Sequence, residues 1–250
     1  DAGIVDGDDI RMLKAGRGTC FTEKPFANVG VVERTGAGNL EGDIPLEFFR
    51  ANPFADGFMA MPLEVLMRFG RWDEILAEPA FPDFVPISRA LQHYARAVAH
   101  AAKDDVPSAL KEQAAFLEAR SRVPKEAFFG NNTGSDVLDV AESFMRGEIL
   151  FRSGKIEDGL VSLREAAARE DRLRYDEPPD WIQPVRHALG AALLQAGRFA
   201  EAETVFREDL AKLPGNGWGL YGLSRALQLQ RKTAEAVAVG RGGVSAVARA

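Results

Sequence analysis

Between Leu189 and Ala236 apolar positions recur in a register of 34 residues: Leu189 with Leu223, Leu193 with Leu227, and Ala202 with Ala236. Leu189 and Leu193 stand four apart and, with Ala192 and Ala196, draw one apolar stripe along a predicted helix. Gly197 ends that helix, because glycine accepts the left-handed backbone of a tight helix–helix turn. Phe199 opens a second helix in which Ala202 is small enough for two helices to approach closely. Phe206 fills the remaining groove, and Pro214-Gly215-Asn216 stops the helix before the next unit. One such hairpin cannot bury its own apolar face, so units of this kind must stack.

Weaker copies extend upstream. Gly147, Leu150, Gly154, Ile156, Gly159, Leu163 and Ala166 fit the same frame, 43 residues before the copy at Gly190. The excess falls in Arg172 to Pro184, where Pro178 and Pro179 forbid regular helix. Leu66, Gly70 and Trp72 match the turn region again, and 34 residues later Val106 and Ala109 stand where Trp72 and Ile75 stood. There Asp104 replaces the turn glycine. The pattern predicts about five helix pairs over 46–250, clearest at 140–236, with the first two irregular. The last is incomplete, because Gly240, Gly242 and Gly243 interrupt its second helix. The stretch GNNTGSD reads as a loop with Ser135 or Asp136 as helix cap.

Residues 1–45 hold eight glycines and repeated turn signals without helical periodicity, which predicts an irregular glycine-rich arm. The chain opens at Asp1, as expected of a processed protein or a piece of a longer array.

The period of 34, the early leucines, the turn glycine and the later Ala and Phe resemble the tetratricopeptide repeat, above all in RHALGAALLQAGRFAEAETVFREDLAKLPGNGWGLYGL. The chain is similar to tetratricopeptide-repeat proteins of bacteria. The resemblance implies an all-α fold, a right-handed solenoid of stacked antiparallel helix pairs. It also implies a protein- or peptide-binding scaffold without catalysis or cofactor. In that family the first helix of each repeat lines a concave groove. Carried over by register, groove positions fall on Phe144, Glu148, Phe151 and Arg152, on His187 and Gln195, and on Trp218, Tyr221, Arg225 and Gln228. The weaker second unit contributes Tyr94. Where the family's carboxylate clamp needs Lys and Asn, this chain has His187 and Ala191, or Tyr221 and Arg225, so that activity is not expected.

Composition narrows the function further. A net charge of −6 without a stripe of Lys or Arg argues against nucleic-acid binding. No apolar run approaches the roughly 20 residues of a membrane span. Cys20 is the single cysteine, which excludes an internal disulfide; it fits the cytoplasm and leaves the periplasm open to a chain that has lost a leader. The segment from Asp6 lacks the glycine and final glutamate of a calcium loop, and neither glycine-rich run ends in GK[ST]. His93 and His100 lie two turns apart on one predicted helix, about 10.5 Å, too far to grip one ion, so no metal site is expected. No GxSxG marks a nucleophile. Two rival readings remain beside the peptide scaffold. One is a small-molecule or metal-binding module using His93, His100 and Glu148. The other is a part that self-associates through its incomplete last repeat. A closed pocket with converging polar groups favours the small-molecule reading, and an open apolar groove favours the scaffold.

Overall fold

The computed structural model describes the backbone of residues 46–247 and the side chains of 46–240. The arm expected over 1–45 lies outside the described residues, as do Cys20 and the last three positions. What is described is mostly helical: eleven α-helices, one 3₁₀ helix and a two-stranded hairpin. Among the described residues no helix is long and apolar enough to cross a membrane.

The opening is short, with α1 (Leu46–Ala51) and a 3₁₀ helix (Pro53–Ala60). Five helical hairpins follow. They are α2 (Met61–Arg68) with α3 (Trp72–Ala77), and α4 (Pro86–Ala102) with α5 (Val106–Ser121). Next come α6 (Gly134–Arg152) with α7 (Ile156–Glu170), then α8 (Val185–Gln195) with α9 (Phe199–Lys212). The last pair is α10 (Gly217–Leu229) with α11 (Thr233–Val247). Partners within a pair are in contact, and so are successive first helices α2·α4, α4·α6 and α8·α10. The core runs through all five pairs.

All five hairpins turn the same way, and this is where the repeat is clearest. One residue at each turn is left-handed: Gly70 (φ 64°), Asp104 (60°), Gly154 (82°), Gly197 (74°) and Arg231 (63°). Its N–H bonds the carbonyl three residues back, and the next N–H reaches five back, as in Lys155 to Leu150 and Arg198 to Leu193. That pair of bonds closes the exposed carbonyls of the first helix. The following residue, always charged (Arg71, Asp105, Lys155, Arg198, Lys232), accepts the first bond of the second helix. Asp104 and Arg231 therefore make the turn that glycine makes elsewhere, at the steric cost of a side chain in that region.

Side chains then set the spacing between helices. Phe206 of α9 is wholly buried, and its ring lies where a Cβ on Gly190 or on Gly222 would fall, at 2.4 and 2.3 Å. Only glycine on α8 and α10 lets both helices close on that ring. Ala202 is likewise fully buried.

Three local readings differ from the sequence expectation. The last helix continues to Val247 through Gly240, Gly242 and Gly243. Each glycine costs about 1 kcal/mol against alanine. Tertiary contact offsets this: Ala236 is buried, Val239 packs on the core, and Ser224 Oγ donates to the Ala236 carbonyl at 3.0 Å. The GNNTGSD segment carries β2 (Asn132–Thr133), which pairs antiparallel with β1 (Phe128–Phe129) just before it. The cap of α6 is Thr133, whose Oγ1 accepts from the Asp136 N–H at 3.1 Å.

The extra segment between α7 and α8 is non-helical, as its prolines require. Buried Asn132 and Glu64, from distant parts of the chain, hold it, and Glu170 fastens its far end. Asn132 Nδ2 donates to Asp180 Oδ2 at 2.6 Å, and Asn132 Oδ1 accepts from the Arg174 N–H at 2.7 Å. Glu64 Oε2 accepts from the Ile182 N–H at 3.2 Å, and Glu170 Oε2 from the Val185 N–H at 3.1 Å. Burial pushes the Glu64 carboxyl from 4.5 up to about 8 and that of Glu170 up to about 7.

Candidate functional site

The first helices of all five hairpins line one half-open pocket of about 120 Å³. Its floor is apolar, from Met67, Val98, Phe144, Phe151 and Ala191. Its polar groups are Arg68, Trp72, Glu148, Arg152, Gln183, His187 and Gln195, with Trp218 on the α10 side. Register alone explains much of this. Phe144, Glu148, Phe151 and Arg152 are spaced 4, 3 and 1 along α6, so one helical face carries them all. His187 and Gln195 are eight apart, two turns along α8.

A charged relay crosses the pocket wall. The Arg68 guanidinium stands at 2.7 Å from His187 Nδ1, and His187 Nε2 at 2.9 Å from Asp209 Oδ2. Arginine can only donate, so Nδ1 is the acceptor and the ring proton sits on Nε2, donated to Asp209. His187 is thus a neutral imidazole. Burial holds it below the usual histidine range, against the pull of Asp209, and the neighbouring Arg68 adds to the depression. Burial also lowers Arg68 from 12.5 to about 10, a value that leaves it charged at neutral pH. The same guanidinium lies 4.6 Å from the Trp218 ring centroid, within cation–π range. One side chain of α2 thereby joins α8, α9 and α10.

Beneath the floor lies an aromatic trio. Tyr94 is buried on α4, with ring centroids 5.8 Å from Phe144 and 5.5 Å from Trp181. It supports the pocket from below and does not line it. Its hydroxyl titrates well above the ordinary tyrosine range because of burial, reinforced by Glu64, Glu148 and Glu170.

The predicted groove residues therefore divide. Phe144, Glu148, Phe151, Arg152, His187, Gln195 and Trp218 meet at the pocket. Tyr221, Arg225 and Gln228 stand outside it on α10, where Arg225 Nη1 donates to Gln228 Oε1 at 3.2 Å and Tyr221 is 54% exposed. His93, His100 and Glu148 do not assemble. His93 pairs with Glu112 at 2.7 Å and His100 with Asp105 at 3.4 Å, both within the second hairpin. Among the described residues no group of three or more His, Cys, Asp or Glu can hold a metal ion. Sequence reasoning missed Met67, Arg68, Trp72 and Gln183. The signal available was the turn motif at Leu66–Trp72, which fixes the hairpin but not what it faces.

A second cleft, about 360 Å³, opens between α7, α8 and α9. Its charges are already paired: Arg186 grips both oxygens of Asp171 at 2.7 Å, and Arg164 meets Glu201 at 2.6 Å. In the inner pocket the charges of Glu148 and Arg152 act on each other, and the buried Arg152 Nε–H has no acceptor among the described residues. Burial raises the Glu148 carboxyl above the usual range, with Arg152 opposing.

Compared with protein-family models, curated proteins and solved structures, the chain matches none.

Proposed function

We propose that the chain is a recognition module of the tetratricopeptide-repeat type, its five hairpins forming a right-handed stack, and that it holds a small ligand in the inner pocket without chemistry of its own. The observation that carries this is the convergence of polar groups and an aromatic floor from separate hairpins on one pocket. An extended peptide along an open groove is supported less well, because α2 spans that face through Arg68. A protein partner remains the second reading, favoured by Tyr221, Arg225 and Gln228 on α10 outside the pocket.

A thermal-shift screen of metabolites and short peptides separates the two. Ala188 is a partly buried pocket residue, and Ala188→Phe fills the space without touching α10's outer face. Compounds that stabilise the parent and lose their effect in Ala188→Phe support the pocket reading. Ligands insensitive to Ala188→Phe but weakened by Tyr221→Ala or Arg225→Ala by about 1–3 kcal/mol overturn it in favour of the outer patch.

A further inference from the structure

We infer that the pocket takes an uncharged apolar molecule of about one ring, seated against Trp72, Phe151 and Ala188, and discriminates against ions of either sign. This names the ligand class for the pocket reading and rests on it.

The charges lining the pocket are of both signs and already act on one another. Glu148 and Arg152, one turn apart on the same face of α6, form one set. Arg68 donates to His187 and His187 to Asp209, which forms the other. Gln183 is engaged as well, its side-chain amide donating to the Glu64 carbonyl. An anion that nears Arg152 therefore also meets Glu148, and a cation at Glu148 also meets Arg152. Burying a charge costs free energy that only a dedicated partner of opposite sign offsets. The pocket supplies no such partner for a third charge. A neutral molecule brings none.

The surface a ligand can reach points the same way. Trp72, Pro184 and Ala188 are only partly buried where they line the pocket, and Phe151 keeps 9% of its surface exposed. Trp72 and Phe151 suit a ring, because aromatic pairs gain beyond the area they bury. At about 120 Å³ the space is near the size of apolar cavities of roughly 150 Å³ that admit benzene. Gln195 is exposed at the edge of the pocket and presents a neutral amide to one hydroxyl or carbonyl on that ring.

Calorimetric titration at neutral pH with three probes of similar size tests this: benzyl alcohol, which is neutral, benzylamine, a cation, and benzoate, an anion. Benzyl alcohol is expected to bind the parent at least about tenfold more tightly than either ion. Unbalancing the α6 pair should admit ions. In Arg152→Gln, benzylamine should come within about twofold of benzyl alcohol, and in Glu148→Gln benzoate should do so. Circular dichroism matching the parent shows that the variants fold; should either unfold, the order of the three probes on the parent decides. An ion that binds the parent as tightly as benzyl alcohol overturns the neutral class. So does a folded variant that keeps the parent's tenfold preference. If benzyl alcohol does not bind, but another compound binds the parent and not Ala188→Phe, the ligand class is wrong and the pocket reading stands. If benzyl alcohol binds parent and Ala188→Phe alike, both fail.

Discussion

The last two hairpins and the segment between α7 and α8 are neighbours held by opposite means. From Val185 to Val247 the chain relies on local devices repeated in register: a left-handed turn residue, a charged residue after it, and small residues where helices close. The inserted segment, from Asp171 to Pro184, has no repeated device. Single contacts with distant residues hold it: Glu64, 118 residues before Ile182, accepts from that residue's N–H and from the Gln183 side chain, and Asn132 reaches Arg174 across 42 residues. Periodic structure tolerates imperfect residues, as Asp104 and Arg231 demonstrate at turns. A segment held by unique hooks has no such redundancy, and it responds to conditions that the repeats ignore.

The largest loss of stability is expected at Phe206, whose ring lies between Gly190 and Gly222. Phe206→Ala should destabilise the fold by about 3–5 kcal/mol in denaturant unfolding, the scale for a buried aromatic. A cost below about 1 kcal/mol would mean that the helices collapse onto the void and that the ring does not set their spacing. The hooks give the next effect. Because burial raises the Glu64 carboxyl from 4.5 to about 8, the folded state holds a proton that the unfolded chain releases. The stability this contributes is complete below about pH 4.5 and is lost as the pH rises towards 8. Glu64→Gln should therefore match the parent near pH 4 and exceed it by about 3–5 kcal/mol at pH 9. Parallel stability–pH curves for the two proteins would remove Glu64 as the pH-sensitive hook. Ala202→Phe should cost about 1–3 kcal/mol by overpacking α9 against its neighbours, and an unchanged melting temperature would place Ala202 outside the helix interface. The smallest effect sharpens the account of the turns: Arg231→Gly should stabilise by about 1 kcal/mol by relieving a side chain from the left-handed region. Loss of stability there would show that the Arg231 side chain contributes more than its backbone costs.

What was legible in the sequence follows the same divide. The stripe Leu189–Leu193, Gly197 and Ala202 sufficed for a hairpin, because each signal acts within one or two turns. Three glycines of poor intrinsic propensity predict an incomplete helix at Thr233, and the packing of Ala236 and Val239 against earlier helices, which completes it, is not a local property. The sequence points to Ser135 or Asp136, two or three residues past the cap at Thr133, because both are good cap types and only the β-pair ending at Thr133 sets where the helix starts. In the site, the α6 residues came together because their spacing fixes a common face. Tyr94 was assigned to the groove by the same rule but lies below it, since Trp181 from the inserted segment packs over that side. Arg68 was invisible for a plainer reason: its partner His187 is 119 residues away, and no periodicity encodes that meeting.

The Arg68 bridge changes how the array should come apart. Hairpins that touch only their neighbours unfold from the ends inward, with terminal units fraying first. Here the first hairpin is fastened to the fourth and fifth, so the described hairpins are closed into a loop of contacts. Deleting or loosening α2 then reaches hydrogen-exchange protection in α8 and α10 directly, without passing through the hairpins between them.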